Sequence, residues 1–119
     1  MARRLTILLV EDDADVRGVL SLMLEGPDRH VVVAANAAEA LELASYIAID
    51  VFLVDIVLPG IGGPDLVEQL LGLRPTARVL FMSGWYDHPQ FPDVGRDVLQ
   101  KPFTREQLNT ALDGLLRDA

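Results

Sequence analysis

The chain has no cysteine among its 119 residues, and only one lysine, Lys101, against nine arginines. Without thiols it forms no disulfide, no thiolate metal site and no cysteine nucleophile, a composition compatible with a reducing compartment. Positive charge is scarce: 10 basic residues face 18 acidic ones, a formal charge of −8. Phosphate backbones and anionic membranes reward Lys and Arg, so this balance argues against a general nucleic-acid or membrane-surface partner, while leaving room for one phosphoryl group bound locally. Long apolar runs are also missing, none approaching the ~18 residues of a membrane span. Met1-Ala2-Arg3-Arg4 starts like the charged region of a signal peptide, but the apolar run from Leu5 to Val10 stops at Glu11-Asp12-Asp13. That run reads as a strand, and the location as cytoplasmic. The length suits one domain over residues 1–119, able to bury roughly two-thirds of the surface its unfolded chain exposes.

What is present is organised around Val51-Phe52-Leu53-Val54-Asp55. Four consecutive apolar residues predict a strand buried on both faces, as in parallel sheets covered by helices. Asp55, followed by the Pro59-Gly60 turn, then lies at the C-terminal sheet edge, where open α/β folds collect ligands; taken alone it could simply end the strand. Leu5 to Val10, Val31 to Ala35, Arg78 to Ser83 and the weaker Asp97 to Gln100 are the other strand candidates. Val16, Val19, Leu20, Met23 and Leu24 carry the spacing of an amphipathic helix over Ala14 to Glu25, stopped by Gly26-Pro27. Asn36 with Glu39 caps a second helix, and Pro64 suits the first turn of a third that runs to Leu73 before Arg74-Pro75. Thr104 with Gln107 forms a capping box for a terminal helix lined by Leu108, Leu112, Leu115 and Leu116. Between Ser83 and Lys101, Pro89, Pro92 and Gly95 leave room for at most about one helical turn. The order is βα five times over with the fourth helix short or absent, which predicts an α/β fold: one doubly wound, five-stranded parallel sheet with helices on both faces.

Four of the five strands deliver a polar group to one edge: Glu11 and Asp12, Asp55, Ser83 and Lys101. Each alone has an ordinary explanation, since acidic residues start helices, Ser ends strands and Lys is usually solvated. Together they suit phosphoryl transfer to a carboxylate. Clustered carboxylates repel unless a hard cation sits among them, and Mg²⁺ takes one or two carboxylates plus waters and phosphate oxygens. Asp55 can be ligand and nucleophile, Lys101 a point charge for a phosphoryl oxygen, and Ser83 a donor to another.

The segments Val10-Glu11-Asp12, Leu53-Val54-Asp55 through Leu58-Pro59-Gly60, Met82-Ser83-Gly84 and Lys101-Pro102-Phe103 resemble a response-regulator receiver domain, and the resemblance covers essentially the whole chain. It implies the flavodoxin-like strand order 2-1-3-4-5, with Asp55 as phosphoacceptor. It also implies Glu11 and Asp12 as the acidic pair, Val57 as a backbone-carbonyl ligand to Mg²⁺, Ser83 as switch hydroxyl and Lys101 as phosphate-contacting lysine. A cis Lys101-Pro102 bond follows from the same resemblance. The implied function is a phosphoacceptor switch of a two-component system, taking its phosphoryl group from a histidine kinase or a histidine phosphotransfer domain. Its catalysis is confined to its own phosphorylation and dephosphorylation. Output passes through protein contact or onward phosphotransfer, from a monomer or weak dimer. The wording around Ser83 and Lys101 is similar to receivers of hybrid sensor kinases, so the chain reads equally as an excised piece or a stand-alone protein. Asp13 fits less well as a ligand and reads, with Asp15, as favourable charge at the first helix's positive end.

Some positions depart from the family. Val98 stands where receivers commonly keep a switch aromatic, leaving Trp85, Tyr86 or Phe91 as substitutes, and the altered fourth-helix region argues against the usual dimer face. Val57 and Trp85 offer an attacking water little help, which implies slow self-dephosphorylation. His30 and His88 read as surface residues, not relay histidines. Alternatives are a pseudo-receiver that binds protein without being phosphorylated, a haloacid-dehalogenase-like phosphatase and a flavodoxin-like cofactor binder. The phosphatase family puts its nucleophile in an Asp-x-Asp at the end of the first strand, whereas the candidate nucleophile here lies on the third and no cap region is present; in the cofactor binder Glu11-Asp12-Asp13 would repel the phosphate.

Overall fold

The structure is a computed structural model describing residues 4–84 and 97–117. In chain order its elements are β1 (Leu5–Val10), α1 (Ala14–Leu24), β2 (Arg29–Ala34), α2 (Ala37–Tyr46), β3 (Val51–Asp55), α3 (Gly63–Leu73), β4 (Arg78–Ser83), β5 (Asp97–Gln100) and α4 (Arg105–Arg117). All strand pairs are parallel and the sheet order is β2-β1-β3-β4-β5, the predicted doubly wound arrangement. The segment expected to lack a full fourth helix, with Trp85, Tyr86, His88 and Phe91, lies outside the described residues.

Strand alternation divides the core. Leu8, Val10, Phe52, Val54, Val79 and Phe81 point to one face, under α2 and α3. Ile7, Leu9, Val51, Leu53, Leu80 and Met82 point to the other, against Leu20 and Leu24 of α1 and Leu108 and Leu112 of α4. Every residue of β3 is buried, as its unbroken apolar run predicts.

Helix starts follow their caps. Asn36 Oδ1 accepts the Glu39 N–H at 2.9 Å, while Glu39 Oε1 accepts the Ala35 N–H. Thr104 and Gln107 exchange side-chain and backbone hydrogen bonds, completing the capping box.

Three local expectations need correction. β2 begins at Arg29, two residues before its valines, and ends at Ala34, because pairing with β1 and not side-chain polarity defines an edge strand. Val19, expected in the buried stripe of α1, is 58% exposed; Leu20 and Leu24 seat the helix and Val19 borders a groove. Asp13 is more than favourable charge, since its Oδ1 accepts the Asp15 and Val16 N–H groups and caps α1.

Candidate functional site

Backbone hydrogen bonds level the strand ends. Glu11 N–H donates to Ala34 O at 3.1 Å, Ile56 N–H to Met82 O at 2.9 Å and Lys101 N–H to Ser83 O at 2.7 Å. These bonds bring the C-terminal ends of β1, β3, β4 and β5 to one edge. Beyond Asp55 the chain turns at Pro59-Gly60, with Gly60 at φ 85°, a conformation that favours glycine. Gly63 then packs against the β3 end, its N–H donating to Ile56 O at 2.8 Å.

Glu11 and Asp55 are 2% and 7% exposed, whereas Asp12 is exposed. One oxygen from each of these three carboxylates lies within 4.8 Å of the others. At that separation and an effective dielectric of ~20, each pair of charges repels by roughly 3 kcal/mol. Lys101 offsets part of this: its Nζ lies 2.8 Å from Glu11 Oε1 and 2.6 Å from Asp55 Oδ2. The other oxygens are held by backbone, Glu11 Oε2 by Asp13 N–H at 3.2 Å and Asp55 Oδ1 by Val57 N–H at 3.0 Å. An all-oxygen cluster of this kind fits a small hard cation.

The pair is not symmetric. Burial raises the Glu11 pKa above its ordinary 4.5, and the Lys101 hydrogen bond and charge recover only part of the cost. For Lys101 burial works against the charge, but hydrogen bonds to Asp55 and Glu11 outweigh it and raise its pKa above 10.5. The lysine is therefore firmly charged, whereas the glutamate ionises at a cost.

Glu11, Asp12, Asp55 and Lys101 are thus brought together as expected. Ser83 is buried at the neighbouring strand end, and Val57 sits at the rim, 46% exposed. The Lys101-Pro102 bond is cis. Val98 is exposed on β5. A groove of about 480 Å³ opens beside Lys101, walled by Val16, Val19 and Met23 of α1 and by Phe103. Sequence reasoning missed Arg17, whose Nη1 donates to the carbonyls of Glu11 and Asp12. An Arg on the first turns of a helix, just after an acidic cluster, was the available signal.

A family model for the response regulator receiver domain matches residues 7–113. The chain is 33% identical to the response regulator receiver protein CpdR of Brucella abortus, covering 92% of this chain and 95% of that protein. It is 34% identical to the sensor kinase CckA of the same organism, over 93% of this chain but 12% of that one. It is also 35% identical to the two-component response regulator PhoP of Pseudomonas aeruginosa, of which it spans 51%. Among solved structures, a receiver protein from Sinorhizobium medicae aligns with a TM-score of 0.81 and 27% identity, over 96% of this chain and 95% of that one. Among the described residues no helix is long and apolar enough to cross a membrane. With its parallel sheet in the order 2-1-3-4-5, its carboxylates and lysine on one edge, and the family match across most of its length, the chain belongs to the response regulator receiver family of two-component signalling.

Proposed function

We propose that the chain is a phosphoacceptor switch, one receiver domain over residues 1–119, in which Asp55 accepts a phosphoryl group from a histidine on a kinase or phosphotransfer domain. The convergence of Glu11, Asp12 and Asp55, with Lys101 reaching across the first and third, carries this reading. Glu11, Asp12 and Asp55 would hold Mg²⁺ through carboxylate oxygens, with the Val57 carbonyl as a further ligand. Bound there, the ion supplies positive charge against the phosphoryl oxygens.

Asp55 is the nucleophile. A carboxylate oxygen attacks phosphorus, the O–P bond forms as the P–N bond to the donor imidazole breaks, and the imidazole leaves with the bonding pair and takes up a proton. Lys101, already 2.6 Å from Asp55 Oδ2, is placed to follow the negative charge onto a phosphoryl oxygen. Ser83, at the end of the adjoining strand, supplies a hydroxyl for another. Loose phosphoryl-transfer transition states need mainly position and neutralised charge, both of which this set offers. Water attacking phosphorus later releases inorganic phosphate and restores the carboxylate, so the chemistry begins and ends on Asp55. Val57, at the rim, has no polar side-chain atom to assist that water, in keeping with slow self-dephosphorylation.

The apolar groove beside Lys101 supports a protein donor, because a helix resting on Val16, Val19 and Phe103 would bring its histidine to the same edge. Output then passes by protein contact from a cytoplasmic monomer or weak dimer.

Intact mass after incubation with Mg²⁺ and acetyl phosphate tests the reading. The expected result is one phosphoryl adduct on the native chain, dependent on Mg²⁺ and absent from Asp55→Asn. No adduct under conditions where Mg²⁺ binding is demonstrable would replace it with the unphosphorylated binding module.

A further inference from the structure

Arg17 is placed against the ordinary preference of its helix. It is four residues beyond the cap Asp13, in the part of α1 where the helix dipole disfavours a cation, and its side chain folds back past the cap. Its partners there are backbone carbonyls: Nη1 donates to Glu11 O at 2.9 Å and, more weakly, to Asp12 O at 3.4 Å. Those two carbonyls belong to the peptide planes on either side of the Asp12 Cα. One guanidinium nitrogen therefore pins both planes, and with them the φ and ψ that aim the Asp12 side chain.

Packing does not do this for Asp12, which is exposed. Glu11, by contrast, is held at every polar atom. Its N–H goes to Ala34 O, its carbonyl to Arg17, Oε1 to Lys101 and Oε2 to the Asp13 N–H. Arg17 completes that set and extends it to the next residue.

We infer that Arg17 is a positioning residue for the cation site, holding the Glu11-Asp12 backbone so that the Asp12 carboxylate meets those of Glu11 and Asp55. The inference rests on the proposed Mg²⁺ site. Mg²⁺ demands near-octahedral geometry at short distance, and partners that orient ligands are commonly worth 10–100-fold in affinity. The charge of Arg17 pulls the other way, since a cation beside a cation site repels the incoming ion. Position and charge thus predict opposite signs.

Calorimetric titration with MgCl₂ of the full chain, as native protein, Arg17→Ala and Arg17→Gln, separates them. Positioning predicts that Arg17→Ala raises the Mg²⁺ dissociation constant by about tenfold. Arg17→Gln, which keeps an N–H donor but not the charge, should recover part of the loss. If Arg17→Ala is poorly folded by circular dichroism, the Arg17→Gln comparison with native decides alone: weaker binding upholds the inference and tighter or equal binding overturns it. Unchanged or tighter binding by folded Arg17→Ala overturns it while leaving the site itself intact. Failure of the native chain to bind Mg²⁺ overturns both. A second readout is the Mg²⁺ dependence of phosphorylation by acetyl phosphate. The half-saturating concentration should rise in Arg17→Ala while the rate at saturating Mg²⁺ stays within about twofold, a split that general loosening of the fold does not produce.

Discussion

Lys101 spans two carboxylates that burial has largely removed from water, and its removal exposes what each contact offsets. In Lys101→Met, Glu11 and Asp55 keep their burial and lose their cation. Breaking a fully buried pair costs about 3–5 kcal/mol; with Lys101 23% exposed, a metal-free loss of about 2 kcal/mol at pH 7 is expected. The pH dependence follows from Glu11. Its folded pKa is already above the unfolded value, and loss of Lys101 raises it further. A group of this kind contributes stability that is fully present below its unfolded pKa of 4.5 and is lost as pH rises through the folded pKa. The variant's deficit should therefore be largest near neutrality and shrink as pH falls toward 4.5. Lys101 in the native chain has the same sense at the alkaline end, its contribution fading only as pH rises through a folded pKa above 10.5. Urea midpoints in EDTA from pH 4 to 8 measure this, and a deficit independent of pH would remove Glu11 from the explanation. The meeting of Glu11, Asp55, Ser83 and Lys101 on one edge was legible because each is a polar group at the end of an apolar run, whereas Val57 was named through the family resemblance alone. Arg29 and Arg105 were not legible, because their partners are carbonyls to which no sequence pattern points, and for Arg17 the only signal was its place just after the acidic cluster. Arg105 reaches Leu22 O across 83 positions of the chain, and Arg29 reaches Leu24 O.

The β3-to-α3 connection shows how an element is aimed at the site. Gly62 and Gly63 adjoin in sequence yet differ in what a side chain would meet. A Cβ on Gly63 would fall on the Asp55 carbonyl oxygen and 2.9 Å from Ile56 Cα, both rigid backbone. On Gly62 the nearest atom is Pro64 Cδ at 3.9 Å, an ordinary contact. Gly62 caps α3 without a side-chain hydrogen bond, and with proline at the second helical position only the third has an N–H to donate to a capping side chain. Gly63→Ala should therefore lose about 2 kcal/mol by overpacking, whereas Gly62→Ser should be neutral or gain a few tenths. Thermal or urea unfolding of the two variants checks this; equal effects would mean that α3 is free to back away from β3. Sequence marked this stretch as a glycine loop and found the helix through Pro64, but which glycine is pressed on backbone depends on the approach of two elements. The same limit applies to Val19. Periodicity assigned it to the core stripe, yet the width of the buried face is set by where α4 and the Pro102-Phe103 turn stop covering α1.

At the scale of the molecule, a parallel sheet buried on both faces followed from the apolar runs, because chains of that pattern have few other ways to hide them, whereas the strand order came from the family resemblance. The distribution of charge is a separate matter from the fold. A chain carrying −8 gathers three of its carboxylates at one edge and answers them with its sole lysine, so the metal-free fold holds electrostatic repulsion that a divalent ion would relieve. Binding to the folded state alone raises stability by RT ln(1 + [L]/Kd), about 1.4 kcal/mol at a tenfold excess over the dissociation constant. For a domain of this size that corresponds to a rise in melting temperature of about 5 °C. General screening of −8 by salt also stabilises, so the comparison is MgCl₂ against NaCl at matched ionic strength, with EDTA reversing only the first. Asp55→Asn removes one ligand charge from the cluster and should lose most of the Mg²⁺-specific rise while keeping the response to NaCl. Equal shifts from both salts, or an undiminished Mg²⁺ shift in Asp55→Asn, would show that the carboxylates respond as a diffuse field and not as a site.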